Sequence, residues 1–200
     1  MDEGYIKFQT HWQPAPALPT ESLQDLIQQR DALHRLGLIG VYENGIGYGN
    51  ISQRWNNENE FVISGSATGH LVNVSTAHFT LVTKVDIAKN RVWCEGLIIA
   101  SSETMSHAVI YQECPEIQAV VHVHHAALWK KLLYQVPTTD ASATYGSPEM
   151  AYSIINLLKS SNLRQQKIFV MEGHPEGIFV FDESLSKCAN LLISQFADKK

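Results

Sequence analysis

The amino-acid sequence predicts a single mixed α/β domain. Segments with apolar residues at helical spacing alternate with short runs that are typical of strands. No internal repeat, low-complexity tract or clear domain boundary interrupts the 200 residues, and a chain of this length is enough for one well-packed core. We therefore expect one domain over residues 20–200, preceded by an extended, proline-rich lead-in over residues 1–19.

The first half of the domain is expected to contain one helix followed by short strands. Leucines at helical spacing predict a helix over about residues 21–38, with Thr20 as its N-cap and Gly37 and Gly40 closing it. A glycine-rich loop follows at residues 43–50. The strands expected after this loop cover about residues 51–55, 60–64, 79–86 and 91–95, and the last two form a hairpin.

The second half reads as helices alternating with buried strands. Ser102 is a candidate N-cap for a helix over residues 103–113, and a strand follows at 117–124. Ser147-Pro148-Glu149 combines an N-cap, a proline at the first helical position and an acidic first turn, which predicts a helix to about residue 159. The other elements expected are a helix at 126–134, strands at 167–172 and 177–181, and a final amphipathic helix at 183–197.

The composition and the cysteine spacing favour a cytoplasmic protein. The net charge of -5 argues against nucleic acid or an anionic membrane as the main partner. No apolar run approaches the roughly 20 residues that cross a bilayer, and the first ten residues lack a signal-peptide core. Cys94, Cys114 and Cys188 are far apart, so we expect reduced thiols, with one disulfide and one free cysteine as the alternative.

The stretch 121-VHVHHAALWKK-131 places three histidines in an otherwise apolar run. Residues two apart in a strand point to the same face, about 6.5–7 Å apart. His122 and His124 can therefore converge on one metal ion, whereas two helical residues at this spacing could not. His125 is expected to point the other way or to begin the next loop.

A catalytic zinc usually has three protein ligands and one open position. The third candidate is His174, in the loop between two apolar strands. From spacing alone, hydrogen-bonded histidines in a sheet remain the alternative interpretation.

Other polar positions have both a functional and a local interpretation. Hydroxyls of Ser101 and Ser102 before a helix, with the adjoining backbone N–H groups, can bind an anion. A glycine at position 49 lets the backbone approach a phosphate closely. Alternatively, Ser102 is only an N-cap, Gly49-Asn50 only a turn, and Glu103 only a complement to the helix dipole.

The ordered set of motifs is more specific than any one of them. It consists of 49-GNIS-52, 62-VISGSATG-69, 101-SSETMSH-107, the HxH pair and a later histidine. In this combination the sequence resembles the class II aldolase/adducin family, over about residues 21–195. The resemblance implies a three-layer α/β/α sandwich with a central mixed, largely antiparallel sheet.

The resemblance also implies roles for individual residues. A divalent zinc, or another divalent transition metal, would be held by His122, His124 and His174, and Glu103 would be the acid/base. The phosphate of the substrate would contact Gly49, Asn50, Thr68, Gly69, Ser101 and Ser102. The implied protein is a zinc-dependent aldolase that cleaves or forms a small sugar phosphate or hydroxy-carbonyl compound through a metal-stabilised enediolate. It would assemble as a homo-oligomer, by resemblance a homotetramer.

The sequence departs from the family pattern in two places. The third histidine is normally followed by glycine, but here it stands in 174-HPEG-177, and proline changes the loop geometry. The segment 135–150 is short for the family, so the identity of the substrate does not transfer.

Two other functions remain open. One is a metal-dependent epimerase, dehydratase or decarboxylase of sugar phosphates; the family's epimerases carry aspartate where this chain has Glu103, which favours an aldolase. The other is a non-catalytic, adducin-like interaction module, a type that has lost zinc ligands, whereas this chain keeps three histidines.

Overall fold

The computed structural model describes residues 5–56 and 58–197, and it confirms the mixed α/β fold. The helices are α1 (Thr20–Arg35), α2 (Thr104–Glu113), α3 (Ala126–Leu132), α4 (Pro148–Ser160), α5 (Leu163–Gln166) and α6 (Leu185–Ser194). The strands are β1 (Gln9–Pro14), β2 (Gly40–Val41), β3 (Gly47–Tyr48), β4 (Asn50–Arg54), β5 (Phe61–Ser64), β6 (Phe79–Asp86), β7 (Arg91–Gly96), β8 (Ala119–His124), β9 (Ile168–Val170) and β10 (Gly177–Asp182). Of the helices in these residues, none is long and apolar enough to cross a membrane.

Within the described residues, eight strands form one sheet in the order β1-β7-β6-β5-β4-β8-β10-β9. The β1–β7 pair is parallel, and the other neighbours pair in antiparallel fashion. Strands β2 and β3 form a separate small hairpin. The central sheet is therefore mixed and largely antiparallel, as the resemblance implied.

Each face of the sheet is covered by helices. Because side chains alternate along a strand, Val120 and Phe179 pack with α2 and α4 on one face, while Val121 and Ile178 pack with α1, α3 and α6 on the other. The central strands are buried on both faces, which explains their nearly continuous apolar composition. This arrangement is the expected three-layer α/β/α sandwich.

Helix α1 begins and ends differently from the prediction. Pro19, not Thr20, occupies the N-cap position, and the cap makes no side-chain hydrogen bond. The helix ends at Arg35 because Gly37 adopts a left-handed backbone with φ +69°. Gly40 lies in β2 and takes no part in closing the helix.

Two further boundaries needed correction. The N-cap of α2 is Glu103 and not Ser102, and Ser102 lies in the turn before it. The glycine-rich segment at residues 43–50 is partly ordered into β3 and the first residue of β4. By contrast, Ser147 caps α4 as predicted by accepting a hydrogen bond from Met150 N at 3.3 Å.

The segment before α1 contributes a strand to the main sheet. Residues Gln9–Pro14 form the edge strand β1, in register with Arg91–Gly96 of β7. The three cysteines are buried and make no disulfide, in agreement with the prediction of reduced thiols.

Candidate metal centre and anion pocket

Strand β8 lies between β4 and β10 and presents two histidines on one face. The Nε2 atoms of His122 and His124 are 3.0 Å apart, and both side chains are buried. His125 instead caps α3, where its Nδ1 accepts a hydrogen bond from Leu128 N at 3.1 Å. The strand period therefore separates the converging pair from the third histidine, as predicted.

His174 joins this pair through the loop between β9 and β10. Gly177, at the start of β10, is in register with His124, so the preceding loop folds over the end of β8. One possible ligand atom from each of His122, His124 and His174 lies within 4.8 Å of the other two. The HPEG loop thus places its histidine beside the HxH pair despite the proline.

The imidazoles are neutral at neutral pH. Burial, followed by the neighbouring histidines, holds the pKa of His122 and of His124 well below the usual range. Burial and then Lys7 lower the pKa of His174 to about 3. The neutral imidazole is the form that binds metals.

Hydrogen bonds orient the strand histidines. His122 Nδ1 donates to the carbonyl oxygen of Ile178 at 3.2 Å, which leaves the Nε2 lone pair directed at His124. The ring of His122 also stacks on Phe179, with centroids 4.3 Å apart. Three buried, neutral and converging imidazoles form a donor set that suits zinc and its neighbours.

Glu103 places a carboxylate against this cluster. Its Oε1 lies 3.6 Å from His174 Nε2 and 4.0 Å from His122 Nε2. The other oxygen, Oε2, accepts a hydrogen bond from Ser106 Oγ at 3.0 Å, one helical turn further along α2. Because His174 is neutral, these contacts are not salt bridges at neutral pH.

The anion side of the pocket begins one strand away from the histidines. Asn50 on β4 is in register with His122 on β8. The amide oxygen of Asn50 accepts a hydrogen bond from His107 Nε2 at 2.5 Å, so the amide nitrogen is oriented away from His107. His107 Nδ1 contacts Ser52 Oγ at 2.6 Å, and burial lowers the pKa of His107 to about 3. His107 is therefore a neutral side chain that orients Asn50.

Two glycines are required by close backbone approaches. Gly49 has φ +75°, and a Cβ there would lie 3.1 Å from the carbonyl oxygen of His122. A Cβ at Gly69 would lie 2.1 Å from the carbonyl oxygen of Gly40. Both approaches bring loop backbone to the edge of the cavity, which is where an anion needs N–H donors.

The hydroxyl groups in the same region are partly engaged within their own loops. Thr68 Oγ1 donates to Gly65 O at 2.9 Å, and Ser101 Oγ accepts from Glu103 N at 3.4 Å. The ten site residues that the sequence singled out all line one cavity of about 210 Å³. They are Gly49, Asn50, Thr68, Gly69, Ser101, Ser102, Glu103, His122, His124 and His174.

Arg30 supports the loop that contains Thr68 and Gly69 on the anion side of the cavity. This role was not predicted from the sequence. Arg30 is 1% exposed, and its guanidinium donates to Thr68 O at 2.8 Å and to Leu71 O. Asp31 lies 3.2 Å from the same group. The signal was available, because Arg30 follows Leu26 by four residues on the apolar stripe of α1.

Tyr145, an aromatic residue that also lines the cavity, was not predicted from the sequence. The Tyr145 ring lies 4.8 Å from the His174 ring, and Lys7 Nζ lies 3.6 Å from the centroid of Tyr145. Tyr5 N donates to Tyr145 Oη at 3.2 Å. These contacts join positions up to 140 residues apart, so no local sequence pattern could have indicated them.

The family profile described as "Class II Aldolase and Adducin N-terminal domain" matches residues 31–194. The chain belongs to the class II aldolase/adducin family. Class II aldolases typically depend on a divalent metal, and His122, His124 and His174 could bind one. The family resemblance drawn from the ordered motifs is thereby confirmed.

Solved structures share the fold at low sequence identity. An L-fuculose 1-phosphate aldolase is 19% identical with a TM-score of 0.63, covering 92% of this chain and 91% of that chain. A sugar-phosphate aldolase from Thermotoga maritima is 16% identical with a TM-score of 0.64, covering 88% and 91%. YgbL from Klebsiella pneumoniae, whose suggested activities are aldolase, epimerase and decarboxylase, is 16% identical with a TM-score of 0.64, covering 88% and 86%. These likenesses confirm the predicted fold class.

Proposed function

We propose that the protein is a zinc-dependent aldolase that cleaves or forms a small phosphorylated hydroxy-carbonyl compound. The observation that carries the proposal is the position of Glu103, whose buried carboxylate lies 3.6 Å and 4.0 Å from two of the three clustered histidines. The same cavity contains the glycine, asparagine and serine residues of the anion side. A metal ligand set, a proton carrier and an anion pocket therefore border one space.

The three histidines suit a divalent metal, with His122 and His124 offering Nε2 and His174 completing the set. The 3.0 Å between the first two Nε2 atoms is close to the roughly 3.3 Å expected for two ligands of a tetrahedral zinc. When bound, the metal would act as a Lewis acid toward the carbonyl and hydroxyl oxygens of the substrate, where negative charge develops as the carbon–carbon bond breaks.

Glu103 would move a proton to or from the reacting carbon. The residue is 3% exposed, which limits its exchange of protons with bulk water. Ser106 holds Oε2 through its hydroxyl, while Oε1 faces the imidazoles and the cavity. Such positioned acid/base groups typically accelerate a reaction by about 10²–10⁴-fold.

The opposite wall would bind the phosphate through neutral donors. Asn50 can offer its amide nitrogen because its oxygen is held by His107. Ser101 and Ser102 stand at the start of α2, and Arg30 fixes the Thr68–Gly69 loop from behind through backbone carbonyls. We further propose that the enzyme is a cytoplasmic homo-oligomer, by family resemblance a tetramer, and sedimentation at micromolar concentration would contradict this by showing a monomer.

The test is a product assay of the zinc-loaded protein on a panel of ketose 1-phosphates, with the Glu103→Gln variant beside it. We expect a three-carbon phosphate fragment and an aldehyde from at least one substrate. The variant should retain its metal and lose about 10²–10⁴-fold in kcat.

Other results would change the assignment. Inversion at one carbon without fragmentation would show that the protein is an epimerase and not an aldolase. Bound metal without turnover of any hydroxy-carbonyl compound would favour the non-catalytic module, and a wild-type protein that binds no divalent metal would overturn the proposal.

A further inference from the structure

A tyrosine and a glutamate lie behind the metal-facing side of His124. Tyr42 Oη is 2.9 Å from His124 Nδ1, and the same hydroxyl donates to Glu176 Oε2 at 3.0 Å. Tyr42 comes from the segment after β2, and Glu176 from the HPEG loop. The three groups form a chain that runs from the imidazole to a carboxylate, although Tyr42 and Glu176 are 134 positions apart.

The carboxylate fixes the direction of this chain. A hydroxyl has a single proton to donate, and that of Tyr42 is directed at Glu176 Oε2. Tyr42 Oη must then accept from His124, which places the imidazole proton on Nδ1. That tautomer leaves lone pairs on Nε2 of both His124 and His122, which lie 3.0 Å apart, an arrangement that suits a cation between them and not a hydrogen bond.

The HPEG loop holds the carboxylate in position. Glu176 has φ +72°, a left-handed backbone that residues other than glycine rarely adopt. Its carbonyl oxygen accepts a hydrogen bond from His125 N at 3.1 Å, which ties the loop to the end of β8. The backbone of the loop is thus attached to the same strand whose histidine the side chain addresses.

We infer that Tyr42 and Glu176 are positioning residues that set the tautomer and orientation of His124 for metal binding. The inference rests on the proposed metal site. It gives a function to Glu176, one of the two residues that separate His174 from the glycine in HPEG. His122 needs no such chain because a backbone carbonyl, that of Ile178, already receives its Nδ1 proton. Outer hydrogen-bond partners of this kind typically contribute about 10–100-fold to metal affinity.

The chain contains a matched control pair. Tyr134 Oη donates to Glu172 Oε1 in the same way, and Glu172 belongs to the same β9–β10 connection. Tyr134 is 67% exposed, and neither residue lines the cavity. Replacing this pair removes a tyrosine–carboxylate hydrogen bond that does not lead to a histidine.

The experiment titrates the metal-free full-length protein with Zn²⁺ alone, and with Co²⁺ to follow its absorption spectrum. The variants are Tyr42→Phe and Glu176→Gln, with Tyr134→Phe and Glu172→Gln as controls. We expect the first two to weaken metal binding by about 10–100-fold and the controls to bind as the wild type does. Thermal unfolding of each metal-free variant shows whether it is folded.

Two outcomes separate this inference from the proposed function. Nitrogen-15 NMR of the zinc-loaded wild type should show the His124 proton on Nδ1, and Tyr42→Phe should shift that resonance. A wild type that binds zinc while Tyr42→Phe binds it equally tightly would overturn the inference and leave the proposed function intact. A folded wild type that binds neither Zn²⁺ nor Co²⁺ would overturn the proposed function instead.

Discussion

The two walls of the cavity are built on different principles. The histidine wall consists of side chains on the central strands β8 and β10 and the loop before β10, each oriented by a hydrogen bond or ring contact. The anion wall consists mainly of backbone, brought close by Gly49 and Gly69 and supported from behind by Arg30 and His107. The histidine wall therefore depends on its side chains, whereas the anion wall depends largely on glycines that have no Cβ.

This difference predicts how each wall responds to mutation. Loss of a side chain on the histidine wall removes a donor atom but leaves the backbone of β8 in place. Gain of a Cβ on the anion wall displaces the backbone itself, because carbonyl oxygens lie 2.1–3.1 Å from the positions that the Cβ atoms would take. Substitutions on the first wall should change metal affinity, whereas those on the second should change stability and anion affinity together.

The largest effect is expected for His122→Ala. It removes one of three donor atoms from the histidine wall, so metal affinity should fall by more than the roughly 100-fold attributed to outer hydrogen-bond partners. Equilibrium dialysis against Zn²⁺ measures the loss. His125→Ala is the matched control, since it changes a neighbouring histidine that caps α3; it should cost about 1 kcal/mol of stability and keep the metal. Equal metal binding by both variants would show that His122 is not a metal ligand.

A smaller effect is expected for Gly69→Ala on the anion wall. The added Cβ would meet the carbonyl oxygen of Gly40, and accommodating it should lower the free energy of unfolding by about 1–3 kcal/mol. The KM for the phosphorylated substrate should rise, while Zn²⁺ affinity should stay at the wild-type level. Gly47→Ala is a steric control for stability, because its Cβ would meet nothing closer than 3.5 Å. A drop in metal affinity for Gly69→Ala would show that the two walls are not separable.

The smallest effect is expected for His107, whose hydrogen bond orients the side chain of Asn50. The pKa of His107 in the folded protein is about 3, below the roughly 6.5 of an unfolded histidine. The unfolded chain therefore takes up a proton that the folded protein excludes, and stability that is complete above pH 6.5 is lost as the pH falls toward 3. Denaturant unfolding of metal-free protein should show a pH slope that His107→Gln reduces by up to about 1.4 kcal/mol per pH unit. An unchanged slope would mean that His107 becomes protonated in the folded state.

Sequence reasoning located the histidine wall better than its surroundings. The HxH pair was predictable because the period of a strand is local, and the same period assigned His125 to the other side. The position of His174 in a loop between two apolar strands made it a candidate, and the family resemblance favoured it as the third ligand, since nothing local shows that a loop 50 residues later returns to β8. Tyr42 and Glu176 could not be found in this way, because their partnership exists only after β2, β8 and β10 are packed together.

The N-cap of α2 shows a different limit. Serine is a preferred N-cap, so local propensity selected Ser102. In the structure Glu103 takes that position, where its carboxylate meets His174, His122 and Ser106. Tertiary contacts at a candidate active site thus shifted the helix boundary by one residue, and a rule based on propensity does not include such contacts.

The central claim is that His122, His124 and His174 hold one divalent metal beside Glu103. Anomalous diffraction from crystals grown with Zn²⁺ tests it most directly. We predict one strong peak at about 2.0–2.1 Å from Nε2 of His122, Nε2 of His124 and a ring nitrogen of His174. A zinc peak elsewhere on the molecule, with these three imidazoles bonded only to one another and to protein groups, would contradict the account.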